Sequence, residues 1–390
     1  MMTTKHIDQF KINVYDLYQL MRQPKPFTFV DVRMPDLFNS NDYNQDDGYQ
    51  LVHIPYIEFE DDLPAALAKL PAGKLVFICR SGNKTRIVMD IIKDYPFDMV
   101  WLDGGLRAWR SFYQTTSVFT DTAGSILQVA RPGRGDLSYL IVSQGEAALI
   151  DPMRDTQEYL DLIDAHNARL THIFDTHNHA DRISGGRFLA DISGAPYHKH
   201  PYDAIHLVDR LPMQISYQPL WDGDIFTIGD FTLRAIWFPG HTLGMTNFLL
   251  TTPQQKQFLF SGDGIFIKSV GRPDLMGKGE PWAEILYESL NKRLKPFVND
   301  DTIILPAHFQ LFSEINADGL VAATLGDLRH SNPMLRPMTQ EEFSAYVLKG
   351  AAEAPEEYLE ILRINHALLE VSEERAMELE AGKNLCSATI

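Results

Sequence analysis

Cysteine is scarce in this sequence, with only Cys79 and Cys386 among 390 residues. That excludes a disulfide-built scaffold and agrees with a reducing compartment. Long apolar runs are missing too, and nothing approaches the roughly 20 residues that a membrane helix needs. The opening "MMTTKHIDQF" has no apolar stretch behind a basic cluster, so no secretory leader is expected. The expectation is a cytoplasmic protein without membrane contact. Positive charge is outnumbered, with 35 Lys and Arg against 52 Asp and Glu and a net charge of −17. Without a segregated basic cluster, this balance argues against nucleic acid as a partner. There is no internal repeat and no long low-complexity tract. What remains is a globular composition, 45% hydrophobic and 22% charged, in a chain long enough for two or three domains.

The first hundred residues alternate strand and helix signals. "FTFVDVR" (27–33), "KLVFICR" (74–80) and "DMVWLDG" (98–104) are short runs rich in β-branched and aromatic residues. Between them, "NVYDLYQLM" follows a cap at Asn13, and "GNKTRIVMDIIKDY" (82–95) has helical periodicity. Alternation of this kind predicts a parallel α/β sheet over residues 1–113. The polar, aperiodic "QTTSVFTDTAGS" reads as a linker over 114–125. A second unit is expected over 126–332, opening on the hairpin-like pair "LSYLIVS" and "EAALIDP". Residues 333–390 read as a helical extension packed on that unit, with a capping box at Thr339 and Glu342, and with the last few residues disordered.

Four segments of the second unit share one design. "HIFDTHNHAD" sets His177, His179 and Asp181 after a short apolar strand; "AIWFPGH" does the same for His241, "FLFSGD" for Asp263 and "TIILPAH" for His308. Strand ends of a layered domain gather on one edge, so ligands remote in sequence can meet there, held by a rigid scaffold. A lone histidine in such a place usually just packs. Four segments with the same pattern, one of them His-x-His-x-Asp, predict a metal site. His172 reads as a packed strand residue; His166, His206, His330 and His366 read as incidental. "YHKH" (197–200) lacks an acidic neighbour and is set aside.

These residues resemble the metallo-β-lactamase superfamily, over roughly 125–330. The resemblance implies an αββα sandwich with metal on one edge. In its two-zinc form one ion would take His177, His179 and His241, and the other Asp181, residue 182 and His308, with Asp263 bridging. Position 182 is Arg182, whose guanidinium has no lone pair to give and stays protonated. The second set therefore loses a ligand and gains a fixed positive charge. Two histidines and one carboxylate with open positions form the facial set of non-haem Fe(II) oxygenases, and His177, His241 and Asp263 can supply it. Within the superfamily the stretches "THNHAD", "PGHTLG", "SGD" and "GRPDL" (271–275) resemble the persulfide dioxygenases. That resemblance implies one Fe(II) per chain on His177, His241 and Asp263, with His179, Asp181 and His308 around them, and Arg272 near the substrate. Two departures stand out: Arg182 where the group has histidine, and Gln310 near the place of its substrate-orienting tyrosine.

A different chemistry is expected at "VFICRSGNKT" (76–85), a strand, a tight loop opening on Cys79, and a helix. Backbone N–H groups of such a loop, the helix N-terminus and the charges of Arg80 and Lys84 would favour thiolate. A cysteine-dependent phosphatase would need arginine six positions after the nucleophile, where Thr85 stands. The loop instead resembles that of the rhodanese sulfurtransferases, as do "VDVR" (30–33), "HIP" (53–55) and "LDGGLRAW" (102–109), so the resemblance spans most of 10–112. Lys84 departs from the usual arginine, replacing a bidentate fork with a point charge. Cys386 has no such setting and is expected at the surface.

Together the resemblances imply a fused enzyme of sulfur metabolism. A low-molecular-weight thiol persulfide would be oxidised by O2 to sulfite at the iron, and Cys79 would move sulfane sulfur, with sulfite a candidate acceptor and thiosulfate a candidate product. The alternative is a zinc-dependent, glyoxalase II-like thioester hydrolase carrying a rhodanese domain. A homo-oligomer is compatible with either.

Overall fold

The structure, a computed structural model, describes residues 6–23, 26–43, 48–274, 277, 279–349, 355–381 and 386–388. Leu275 and the final residues 389–390, where the sequence led us to expect disorder, lie outside the described residues.

The first unit is a parallel sheet of five strands. Their spatial order is Lys11–Ile12, Asp98–Leu102, Lys74–Ile78, Thr28–Asp31 and Gln50–His53. Its central strands read as continuous apolar runs because both faces are covered. One face packs Val30, Leu75 and Phe77 against Val88, Met89 and Ile92 of the helix Asn83–Ile92. The other joins the second unit through Tyr18, Trp109 and Phe312, with ring centroids 6.2 Å apart for Tyr18–Phe312 and for Trp109–Phe312. The Asn13 cap forms a capping box with Asp16 and starts the helix Val14–Met21 as expected.

The second unit stacks two sheets. The seven-stranded one includes Gln114–Thr120, Ser125–Arg131, the hairpin Asp136–Ser143 and Glu146–Ile150, and Arg169–Phe174. The six-stranded one includes Phe231–Trp237, Thr246–Thr251, Gln257–Gly262 and Ile303–Pro306. Ile126, Tyr139, Ile141 and Phe174 of one meet Phe231, Phe248, Phe258 and Phe260 of the other in the apolar layer between them. Helices Thr156–Ala165 and Gly186–Ser193 cover the outer face of the first sheet, and Gly279–Glu288 and Gln340–Val347 that of the second.

Two expectations are corrected. Residues 114–125 are no linker: Gln114–Thr120 pairs antiparallel with Ser125–Arg131 as the edge strand of the seven-stranded sheet. Ser117 and Thr120 are exposed while Val118 and Phe119 pack inward, and so polar a stretch reads like a loop. Cys386 is not at the surface but fully buried, because Gly271 and Ser387 form a β-bridge that folds its segment into the second unit. The extension is otherwise helical, and the Thr339–Glu342 capping box is present. Among the described residues, no helix is long and apolar enough to cross a membrane.

"YHKH" also has a role away from the metal cluster. His198 Nε2 lies 3.1 Å from His172 Nδ1, between Phe174 and Phe226. Burial, then His172, pulls His198 down from 6.5 to about 4, and burial lowers His172. Folded values below the unfolded one mean that the pair's contribution is complete above pH 6.5 and is lost as the pH falls towards 4. Thermal melting of the metal-free protein is expected to drop through that window, and replacing both histidines by phenylalanine to flatten the drop.

Candidate metal centre

The predicted ligands converge. His177, His241 and Asp263 present donor atoms within 4.8 Å of one another, and so do His179, Asp181 and His308. All six are buried. Asp263 stands between the groups: its Oδ2 is 3.3 Å from His241 Nε2 and 3.6 Å from His177 Nε2, while Oδ1 is 3.3 Å from His308 Nε2. Neither Asp263 oxygen, nor His177 Nε2, has a hydrogen-bond partner among the described residues. Buried polar atoms left in this state are costly unless a cation completes them. The donor set therefore fits a divalent metal.

Electrostatics agree. Burial, then His179 and His241, holds His177 well below the ordinary imidazole value; burial, then Arg182 and His308, does the same for His179. Both rings are thereby kept neutral, the form that binds metal. Burial raises Asp263, against the pull of His308 and His241. Burial alone would lower His308, but Asp263 and Asp181 reverse that and raise it.

Arg182 is fully buried, with Nη1 donating to the Ala307 carbonyl at 3.2 Å. Burial would weaken its charge, yet Asp136, Asp181, Asp151 and Asp263 outweigh that and hold it protonated. The guanidinium is thus a fixed cation in the field of these four carboxylates, Asp181 of the second group among them.

Sequence reasoning missed the residues that aim the ligands. Asp151, held at a φ of 53°, accepts from Thr176 N at 2.7 Å and faces His179 Nε2 at 3.1 Å. Thr176 Oγ1 in turn lies 2.9 Å from His177 Nδ1. A non-glycine residue at such a φ is a strained position that its surroundings must enforce. Asp136 faces His308 Nδ1 at 3.4 Å. Burial would raise the Asp136 carboxyl, and Arg131 and Arg134 overturn that and hold it well below the usual value. Asp203 accepts from Asn178 N and Gly244 N, tying together the loops that carry His177 and His241. "LIDP" ends a strand as the ligand segments do, so Asp151 carried a legible signal; Asp203 carried none.

Arg272 reaches the centre through its backbone: its carbonyl lies 2.9 Å from His241 Nδ1, while its guanidinium pairs with Asp274 at 2.6 Å. A methyl at the neighbouring Gly271 would stand 1.9 Å from the Asp263 carbonyl and 3.0 Å from His241 Cγ. Gly271→Ala is therefore expected to push both ligands out of place. Overpacking of this kind costs about 1–3 kcal/mol, and metal content should fall with it. Unchanged metal content by elemental analysis would contradict this geometry.

Cys79 lies apart from these residues. It is 2% exposed, packed with Val30, Val32 and Ile54, and its carbonyl accepts from Leu106 N at 2.9 Å. The "DGGL" turn backs the loop: a methyl on Gly105, at φ +60°, would lie 2.2 Å from the Cys79 carbonyl. Lys84 Nζ sits 3.9 Å from the centre of the Tyr56 ring, and Arg80 pairs with Glu374 at 3.6 Å. Arg80 and Leu106 also border a cleft of about 840 Å³ between the units, shared with Arg110, Arg131, Arg154 and Glu380.

A two-layer sheet domain with histidines and carboxylates gathered at strand ends defines a class of metalloproteins. A family model for the metallo-beta-lactamase superfamily matches residues 131–308. The bovine (Bos taurus) mitochondrial persulfide dioxygenase ETHE1 is 30% identical over 199 residues, covering 51% of this chain and 69% of that one. The human (Homo sapiens) protein of that name has the same identity and coverage. The chain belongs to the metallo-beta-lactamase superfamily and is homologous to the persulfide dioxygenases over about half its length. Among solved structures, a metallo-beta-lactamase from Staphylococcus aureus aligns with a TM-score of 0.54 at 27% identity, covering 63% of this chain and 73% of that one. ETHE1 from Myxococcus xanthus aligns with a TM-score of 0.50 at 22% identity, covering 66% of this chain and 99% of that one, which supports the fold.

Proposed function

We propose that this protein oxidises the outer sulfur of a low-molecular-weight thiol persulfide with O2, giving thiol and sulfite. One Fe(II) would be held by His177, His241 and Asp263. The observation that carries this reading is the fully buried, charged guanidinium of Arg182 beside the second group, where another cation would have to sit. Homology to the persulfide dioxygenases supports this reaction class. When bound, iron supplies the redox chemistry by which O2 takes electrons from the sulfane sulfur. The chain's residues do the rest. Asp151 and Thr176 fix His179 and His177, the Arg272 carbonyl fixes His241, and Arg182 keeps the neighbouring position cationic, which favours an anionic persulfide.

The first unit is proposed to be a rhodanese-like sulfurtransferase. Its parallel sheet and the strand, loop and helix around Cys79 support this. A persulfide on Cys79 would pass its outer sulfur to sulfite: one S–S bond breaks at Cys79, another forms in thiosulfate, and the free thiol returns. Cys79→Ser should abolish thiosulfate formation while leaving O2 uptake within about twofold, since the two units act on separate sites. Equal loss of both would contradict two separate centres.

The grouping of His179, Asp181 and His308 favours one competing reading, a two-zinc thioester hydrolase. Protein purified without O2 separates the two. O2 uptake on glutathione persulfide with no thioester turnover supports the dioxygenase; the reverse pattern overturns it.

A further inference from the structure

Cys386 has no role in the reading above, yet it is fully buried beside the candidate metal centre. Its Sγ, an Asp263 oxygen and a His308 nitrogen lie within 4.8 Å of one another. Asp263 belongs to this group and to the set with His177 and His241, and its two oxygens accept no hydrogen bond among the described residues. The thiol is delivered by backbone pairing. Arg272 N donates to the Cys386 carbonyl at 2.9 Å, Ala388 N donates to the Val270 carbonyl at 2.9 Å, and Gln310 donates through its side-chain amide to Ser387 Oγ. Arg272 also turns His241, so one short segment touches both the ligand-bearing loop and the thiol.

A pocket of about 20 Å³ between Thr242, Trp282, Leu362 and Ile205 reaches His241. A sulfur atom brought from outside to a metal that already carries a tethered thiol competes with it for a coordination position.

We infer that Cys386 is an internal thiol ligand of the metal held by Asp263, and that a substrate sulfur competes with it. This rests on the metal site proposed above. Thiolate is a good ligand for a divalent transition metal, and binding releases the thiol proton. The exchange balances without a redox partner. The metal–sulfur bond to Cys386 breaks, a metal–sulfur bond to the incoming persulfide forms, and the persulfide's proton passes to the Cys386 sulfur. The segment thereby sets a threshold: an external thiol competes with a tethered one, and its apparent affinity falls by the fraction of chains in which the tether is bound.

The test uses the full chain loaded with Co(II), as wild type, Cys386→Ser and Cys386→Ala. The wild type should show a sulfur-to-cobalt charge-transfer band in the near ultraviolet, absent from both variants. Cobalt should slow alkylation of Cys386 by iodoacetamide, read by peptide mass spectrometry, by roughly tenfold or more. Titration with 2-mercaptoethanol should half-saturate Cys386→Ala at a concentration about tenfold lower than the wild type requires. Cobalt uptake with no wild-type band, unchanged alkylation and equal thiol affinity would overturn the inference while leaving the metal site standing. No cobalt uptake by any of the three chains would overturn both.

Discussion

Asp263→Asn is expected to cost the protein its metal and to lower O2 consumption by on the order of a thousandfold or more. The carboxylate stands where both groups of ligands meet, within 3.6 Å of three histidine nitrogens, and neither of its oxygens accepts a hydrogen bond among the described residues. An amide keeps the shape but offers one neutral oxygen in place of a shared negative charge. The fold should survive, because burial already disfavours the ionised form of Asp263. Loss of function with a melting temperature equal to that of the metal-free wild type would therefore mark a ligand and not a structural support. Metal analysis and an oxygen electrode on the same preparation check this. Full metal content together with full activity would remove Asp263 from the site.

The second large effect is expected at Arg182. Arg182→Ala removes a cation whose field acts on Asp151, Asp181 and Asp263, while Asp136 keeps Arg131 and Arg134. Removing one partner of a buried charge group costs about 3–5 kcal/mol. In a chain of this size that is about 4–6 °C in melting temperature. The same carboxylates should then accept a cation from solution. Added Zn(II) is expected to restabilise Arg182→Ala far more than the wild type, by mass action on a site created in the folded state. Arg182→His goes further, because it returns a neutral imidazole to the second group and should raise the metal count from one towards two. Thermal melts across a zinc titration, with metal counting, read both effects. If Arg182→Ala is as stable as the wild type and binds no additional metal, the guanidinium is not the substitute for a second ion.

The ligands were legible because each follows an apolar strand, and strand ends of one sheet edge must meet. His177, His241, Asp263 and His308 are separated by up to 131 positions, yet one repeated local pattern marks them all. Helix starts were legible for a similar reason: the caps at Asn13 and Thr339 act through residues three positions away. Elements that depend on distant partners were not. Gln114–Thr120 has the polarity of a loop, and only its pairing with Ser125–Arg131 makes it a strand. Cys386 is buried by Gly271, 115 positions earlier, through a bridge that no local pattern announces. Asp203 has no local signal at all, and its role appears only when Asn178 N and Gly244 N close on it. Arg182 was legible as the loss of a second-set ligand, whereas the field of Asp136, Asp151 and Asp263 that keeps it charged appears only in the fold.

The central claim is that one catalytic ion sits on His177, His241 and Asp263 while Arg182 stands in for a second. Elemental analysis of the full chain, purified without O2 and without added metal, tests it most directly. The account predicts about one iron per chain, falling to near zero in Asp263→Asn and unaffected by Cys79→Ser. About two zinc ions per chain, retained beside an intact Arg182, would contradict it.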